Sequence, residues 1–135
     1  MRVLVDTSVW SLALRRDTPS DAPEVAWLAR AILAGETVVT TGVVLQEILQ
    51  GVQGPKARSR ILDRFALLPY LSPTRDDHIE AAELRNRCRR RGVQVGTIDA
   101  LLAQLCIAYD LEMLTTDRDF EGMARVGGLR VVQAP

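Results

Sequence analysis

Scarcity is the first informative feature of this chain, which holds one histidine, one lysine and two cysteines in 135 residues. With no second histidine beside it, His78 makes a poor general base, and its place among acids at a predicted helix start suits the surface. Cys88 and Cys106 form no C-x-x-C pair, so they read as reduced thiols, neither a disulfide framework nor metal ligands. No apolar run reaches the ~18 to 20 residues that span a bilayer. The opening "MRVLVD" meets an acid too early for a secretory signal, so a cytoplasmic protein with no membrane partner is expected. The absence of G-x-G-x-x-G and Walker loops removes the usual nucleotide-binding readings. Net charge is missing too: 17 basic residues cancel 17 acidic ones. Without a global positive field, any nucleic-acid contact must be local. All basic residues except Lys56 are arginine, whose planar guanidinium suits bidentate phosphate or carboxylate contacts.

What is present is ordinary globular material, 47% hydrophobic and 25% charged, with no linker, repeat or low-complexity tract. The length predicts one domain over residues 1–135, large enough for a core without disulfides. "RVLVD" predicts a buried strand over 2–6, after which Asp6-Thr-Ser8 opens a helix. A helix over 22–34 stops at Gly35, "TVVTT" is a second strand, and Thr41 caps a helix that ends near Gly51. Another helix covers 56–66, and Pro69 shortens "ALLPYL" or sends it to a sheet edge. Thr74-Arg-Asp-Asp77 resembles a capping box and opens a helix over 75–91. Then come the apolar helix "GTIDALLAQLCIAY", a strand "LEMLTT" ending at Asp117, a short helix carrying Phe120, and a last strand "LRVV". Strands alternating with helices predict a parallel sheet covered on both faces.

Functional groups in such a sheet gather beyond the carboxyl ends of the strands. Asp6 and Asp117 lie at strand ends, Glu47 in the helix after the second strand, and Asp99 in the first turn of the apolar helix. Separated by 41, 52 and 18 residues, these four acids meet only through the fold. Each has a plainer explanation. Asp6 and Asp117 could cap helices, Glu47 lies at the edge of an apolar arc, and Asp99 complements the helix dipole, with Thr97 as its N-cap. Taken together they raise a different problem, because converging carboxylates repel unless a cation neutralises them. Hard oxygen ligands favour Mg2+ or Mn2+, and such a site suits phosphodiester hydrolysis.

The segments "VDTSVW", "LQEILQG", "GTIDALLA" and "LTTDRDFEGM", in that order along nearly the whole chain, resemble the PIN-domain endoribonucleases, and more narrowly the VapC-type toxins of toxin–antitoxin pairs. The resemblance implies a Rossmann-like three-layer α/β/α sandwich with a short, mainly parallel sheet. It implies Mg2+- or Mn2+-dependent cleavage of RNA. By the same resemblance Asp6, Asp99 and Asp117 match metal ligands, and Glu47 completes the catalytic acids. Ser8 and Thr115 match supporting polar positions, and Asp119 competes with Asp117 for the cation because "DRDF" holds two acids. A homodimer and a VapB-like antitoxin partner are likewise implied. Val9, Trp10, Leu12 and Trp27 offer an apolar face either for such contacts or for the core.

"RNRCRRRG" at 85–92 reads either as an RNA clamp or as a solvated helix end complementing the dipole, with Glu83 paired to Arg87 at i,i+4. Two rivals to the nuclease reading fit less well. A receiver-like phosphoacceptor needs a lysine after a late strand, where Lys56 does not lie; a noncatalytic PIN scaffold predicts loss of an acid, and all four are present.

Overall fold

A computed structural model describes residues 1–135. Strands β1 (Arg2–Val5), β2 (Thr37–Thr41), β3 (Tyr70–Leu71) and β4 (Glu112–Leu114) form one parallel sheet in the order β3-β2-β1-β4. Seven helices connect and cover it: α1 (Thr7–Ala13), α2 (Pro23–Leu33), α3 (Gly42–Gln50), α4 (Pro55–Phe65), α5 (Arg75–Arg90), α6 (Thr97–Ala108) and α7 (Asp119–Gly127). The order reverses direction at β1. From β1 the chain steps outward to β2 and β3, then crosses back to β4 on the other side of β1. Right-handed crossovers therefore place α1 to α4 on one face and α5 to α7 on the other, which makes the expected three-layer α/β/α sandwich.

Strand β1 is central and its Val3, Leu4 and Val5 are fully buried, as are Met113 and Leu114 of the neighbouring β4. Burial explains the largely apolar composition of helix α6: Ala100 through Cys106, Gln104 included, are all buried. Val9 and Trp10 belong to the core, where the Trp10 ring lies 4.9 Å from that of Phe65, joining α1 to α4. Leu12 is half-buried, and half-buried Trp27 packs against the same core. Both cysteines are buried free thiols. No helix is long and apolar enough to cross a membrane.

Several boundaries differ from the sequence reading for local reasons. "LRVV" does not form a strand; only Val131 bridges to Met113, because β4 is three residues long and its successors Thr115 and Thr116 turn away from the ladder. Gly96, not Thr97, is the N-cap of α6, and Thr97 is its first helical residue. Thr41 stands at the N-cap of α3, yet its hydroxyl makes no capping bond and is buried without a partner. The Glu83–Arg87 pair does not form; the molecule's ion pairs are the N-terminus with Glu36 and Arg130 with Asp110.

The Thr74 capping box is complete: Thr74 Oγ1 accepts from Asp77 N–H at 3.2 Å, and Asp77 Oδ2 accepts from Thr74 N–H at 2.8 Å. Asp77 Oδ2 also accepts from the Tyr109 hydroxyl at 2.8 Å, which ties the start of α5 to the end of α6. Burial pushes the Asp77 carboxyl up, but these hydrogen bonds, first that from the Thr74 backbone, outweigh it and hold the group below its ordinary range. Thr74→Ala is expected to cost about 1 kcal/mol in a urea melt, as cap losses do. Asp77→Ala should cost more, since it also leaves the Tyr109 hydroxyl without its acceptor.

Candidate active site

The sheet's order reverses between β1 and β4, the place in an open parallel sheet where a crevice forms beyond the carboxyl ends. Register builds the crevice. Val5 pairs with Leu114, and Asp6 N–H donates to the Leu114 carbonyl at 2.9 Å, so the next residues, Asp6 and Thr115, meet side by side. The Thr115 hydroxyl donates to Asp6 Oδ2 at 2.9 Å, and the Ser8 hydroxyl donates to the same oxygen at 2.8 Å. With both protons spent on Asp6, the 3.3 Å approach of Ser8 Oγ to Thr115 Oγ1 carries no hydrogen bond of its own. Each hydroxyl is in turn fixed by a backbone donor: Thr116 N–H gives to Ser8 at 3.1 Å, and Asp117 N–H gives to Thr115 at 2.9 Å.

Asp6 occupies the N-cap position of α1 but makes no capping bond. Its side chain is committed to the crevice, with Oδ2 held by two hydroxyls and Oδ1 without a protein donor. The other acids repeat this half-satisfied pattern. Asp117 Oδ1 accepts from Asp119 N–H at 2.9 Å, which explains the turn into α7 and leaves Oδ2 unbonded. Glu47 Oε1 accepts from the Thr7 hydroxyl at 2.8 Å, leaving Oε2 unbonded. Asp99, in the first turn of α6, has no hydrogen-bond partner. Thr7 is absent from the residues that the sequence marks; its one signal is its place between Asp6 and Ser8 in D-T-S, where a helix start turns one hydroxyl toward β4 and the other toward α3.

Charge shows how the acids are arranged. Burial is the leading cause that pushes the Asp99 carboxyl up to about 6, followed by the negative charges of Asp6, Asp117, Glu47 and Asp119. The charges of the other four acids therefore all reach Asp99. None of them has a basic side chain within ion-pair distance. The donor set is entirely carboxylate and hydroxyl oxygen, which suits a hard divalent cation rather than zinc or copper. No three carboxylates close into a tight ligand cage. An ion such as Mg2+, which keeps several waters and takes only one or two carboxylates directly, needs no such cage. Asp119 is exposed at the rim, whereas Asp117 is half-buried and tied through Thr115 to Asp6, which favours Asp117 as the inner acid of the pair.

The sequence pattern of the PIN domain matches residues 3–126. VapC ribonuclease Mb1587 of Mycobacterium bovis is 30% identical over 134 residues, an alignment covering 95% of this chain and 96% of that protein. Ribonuclease VapC11 of Mycobacterium tuberculosis matches with the same identity and coverage. Among solved structures, VapBC2 from Rickettsia felis, bound to a DNA fragment from its promoter, superposes with a TM-score of 0.77 at 19% identity, covering 98% of each chain. A fold, an order of acidic segments and an end-to-end alignment agree, and the chain belongs to the PIN-domain family, among the VapC ribonucleases.

Proposed function

We propose that the protein is a Mg2+- or Mn2+-dependent endoribonuclease, the toxin of a toxin–antitoxin pair, working as one PIN unit at the cluster of Asp6, Glu47, Asp99 and Asp117. One observation carries the reading: four carboxylates from separate parts of the chain converge, each keeps an oxygen without a protein donor, and no cationic side chain neutralises them. A structural cluster would pair its acids with arginine, of which this chain has plenty. The ribonuclease names of the relatives at 30% identity support RNA as substrate. The VapBC2 complex of the Rickettsia felis neighbour supports a VapB-like antitoxin as partner. A homodimer is the family expectation.

Asp6, Asp99 and Asp117 would hold the cation. When bound, it lowers the pKa of an attacking water and offsets charge on the reacting phosphate. The protein's own groups supply orientation and a proton acceptor. Ser8 and Thr115 fix one oxygen of Asp6, so that the other presents in a single direction, as outer partners of metal ligands do. Thr7 holds Glu47 by Oε1, leaving Oε2 to take a proton from water. Neutral hydroxyls do this without cancelling the charge that the cation needs.

Cleavage of structured RNA should require Mg2+ or Mn2+ and stop with EDTA. Asp6→Asn and Asp99→Asn should each lose more than the ~10- to 100-fold that removal of an outer partner costs, while Ser8→Ala and Thr7→Val should fall within that range. Undiminished cleavage by both aspartate variants would reject the site.

Metal-free stability offers an independent check. The folded Asp99 carboxyl titrates near 6, against an ordinary 3.8, so between those values the folded state binds the extra proton. Stability therefore falls as pH rises through that interval, and the full penalty is present above about pH 6. In EDTA, Asp99→Asn should melt higher than the parent at pH 7.5, by on the order of 1 kcal/mol given solvent screening of a partly exposed group. The difference should vanish toward pH 4. Equal melting at pH 7.5 would mean that neither burial nor the neighbouring acids disfavour the ionised Asp99 carboxyl.

A further inference from the structure

We propose that a second pocket, beside the acid cluster, is a phosphate subsite for the nucleotide next to the cleaved bond, with Arg85 and Arg89 as its positioning residues; this rests on the ribonuclease reading above. The pocket has a volume of about 550 Å³ and lies between the C-terminal half of α5 and the starts of α6 and α7, lined by Arg85, Arg89, Val93, Val95, Gly96 and Asp119 among others. That volume falls within the ~300–1,000 Å³ of ligand pockets generally.

Two residues join it to the acids. A methyl group on Gly96 would come 3.9 Å from Asp99 Oδ2, so the pocket wall at Gly96 lies next to that carboxylate. Asp119, on the same wall, is one of the charges that raise Asp99. A strand of RNA with one phosphate at the acid cluster therefore has a neighbouring phosphate in reach of the pocket. Asp119 itself repels an anion, which places the phosphate at the arginine end.

The arginines are prepared for it. Arg85 Nε donates to the Val95 carbonyl at 2.8 Å, which fixes the guanidinium plane and leaves its four terminal N–H groups without protein acceptors. Holding that side chain in place beforehand lowers the ordering cost of binding. Arg89, one turn further along the same face, donates from Nη2 to Asn86 Oδ1 at 2.9 Å. Neither guanidinium is paired with a carboxylate, although Asp119 lines the same pocket. A chain of zero net charge that must bring RNA to a negative crevice needs local cations beside it, and these are so placed. The rest of the arginine run is not: Arg87, Arg90 and Arg91 line a separate cavity of about 220 Å³ with Val126, and so serve as controls from the same arginine run.

The test measures binding of a fluorescently labelled single-stranded oligoribonucleotide, one that the parent cleaves, to full-length Asp99→Asn protein over a salt series. Adding Arg85→Gln or Arg89→Gln should weaken binding and flatten the plot of log affinity against log salt by about 0.7 for each phosphate of a single strand that is no longer neutralised. In the active background both variants should raise KM with kcat little changed. Arg85→Lys should keep most of the salt slope. Because Arg85 also braces Val95, Arg89→Gln, which has no such brace, decides the matter if Arg85→Gln melts early. Parent-like slopes in the Arg85 and Arg89 variants, or equal losses in the single variants Arg87→Gln and Arg90→Gln, would overturn the subsite while normal cleavage left the nuclease reading standing. A parent that neither binds nor cuts RNA would overturn both.

Discussion

Like charges do not gather unaided, and the repulsion among the carboxylates at the carboxyl end of this sheet is the constraint around which the rest of the molecule is arranged. Attraction does not offset it, since no arginine or lysine reaches the cluster. Instead the backbone imposes it. The pairing of Val5 with Leu114 fixes Asp6 beside Thr115, and a slip of one residue would turn the threonine hydroxyl to the opposite face of the sheet. Short strands suffice because the ladder has only to set this one register before the chain leaves it.

The energy that tolerates the repulsion comes from below. Val3, Leu4, Val5, Met113 and Leu114 are fully buried under the crevice, and α6 drives Leu102, Ala103 and Leu105 into the interior while carrying Asp99 at its first turn. Burying one leucine-sized side chain contributes roughly 1.5 to 3 kcal/mol, more than the ~1 kcal/mol penalty expected of the partly exposed Asp99 carboxyl. A helix apolar on nearly every side is thus what lets a charge stand at its end. The same helix start explains why Asp99 absorbs the strain: it is the one acid of the four with no hydrogen bond, so nothing relieves the combined effect of burial and its neighbours.

Much of this is legible in the sequence because parallel sheets obey simple rules. β-branched runs ending in acids locate Asp6 and the turn at Asp117, and alternation of strands and helices gives the layers. Glu47 and Asp99 are less transparent, since a glutamate on the edge of an apolar arc and an aspartate in a first helical turn both have ordinary uses; their significance comes from the family resemblance. Thr7 stays hidden because its value depends on where α3 lies relative to α1, a relation that no local pattern encodes. The last strand fails for a similar reason: "LRVV" has the right composition, but a ladder needs a partner of matching length, and β4 ends after Leu114 so that Thr115 can turn to Asp6. Helical spacing alone pairs Arg87 with Glu83, and solvent competes successfully for both groups at the surface.

The choice of hydroxyls over guanidinium groups around the acids follows from the same constraint. An arginine against Asp6 would relieve the repulsion permanently and occupy the oxygen that a cation needs, so it would stabilise the fold by disabling the crevice. A hydroxyl orients one oxygen, adds no net charge, and can itself be fixed by a backbone N–H, as Ser8 and Thr115 are by Thr116 and Asp117. The acids therefore keep their charge, and Arg85 and Arg89 line a neighbouring pocket whose lining includes Gly96, next to Asp99, and Asp119. Leaving the two signs unpaired keeps the carboxylates open to a cation and the guanidinium groups open to an anion, which no direct salt bridge between them would allow.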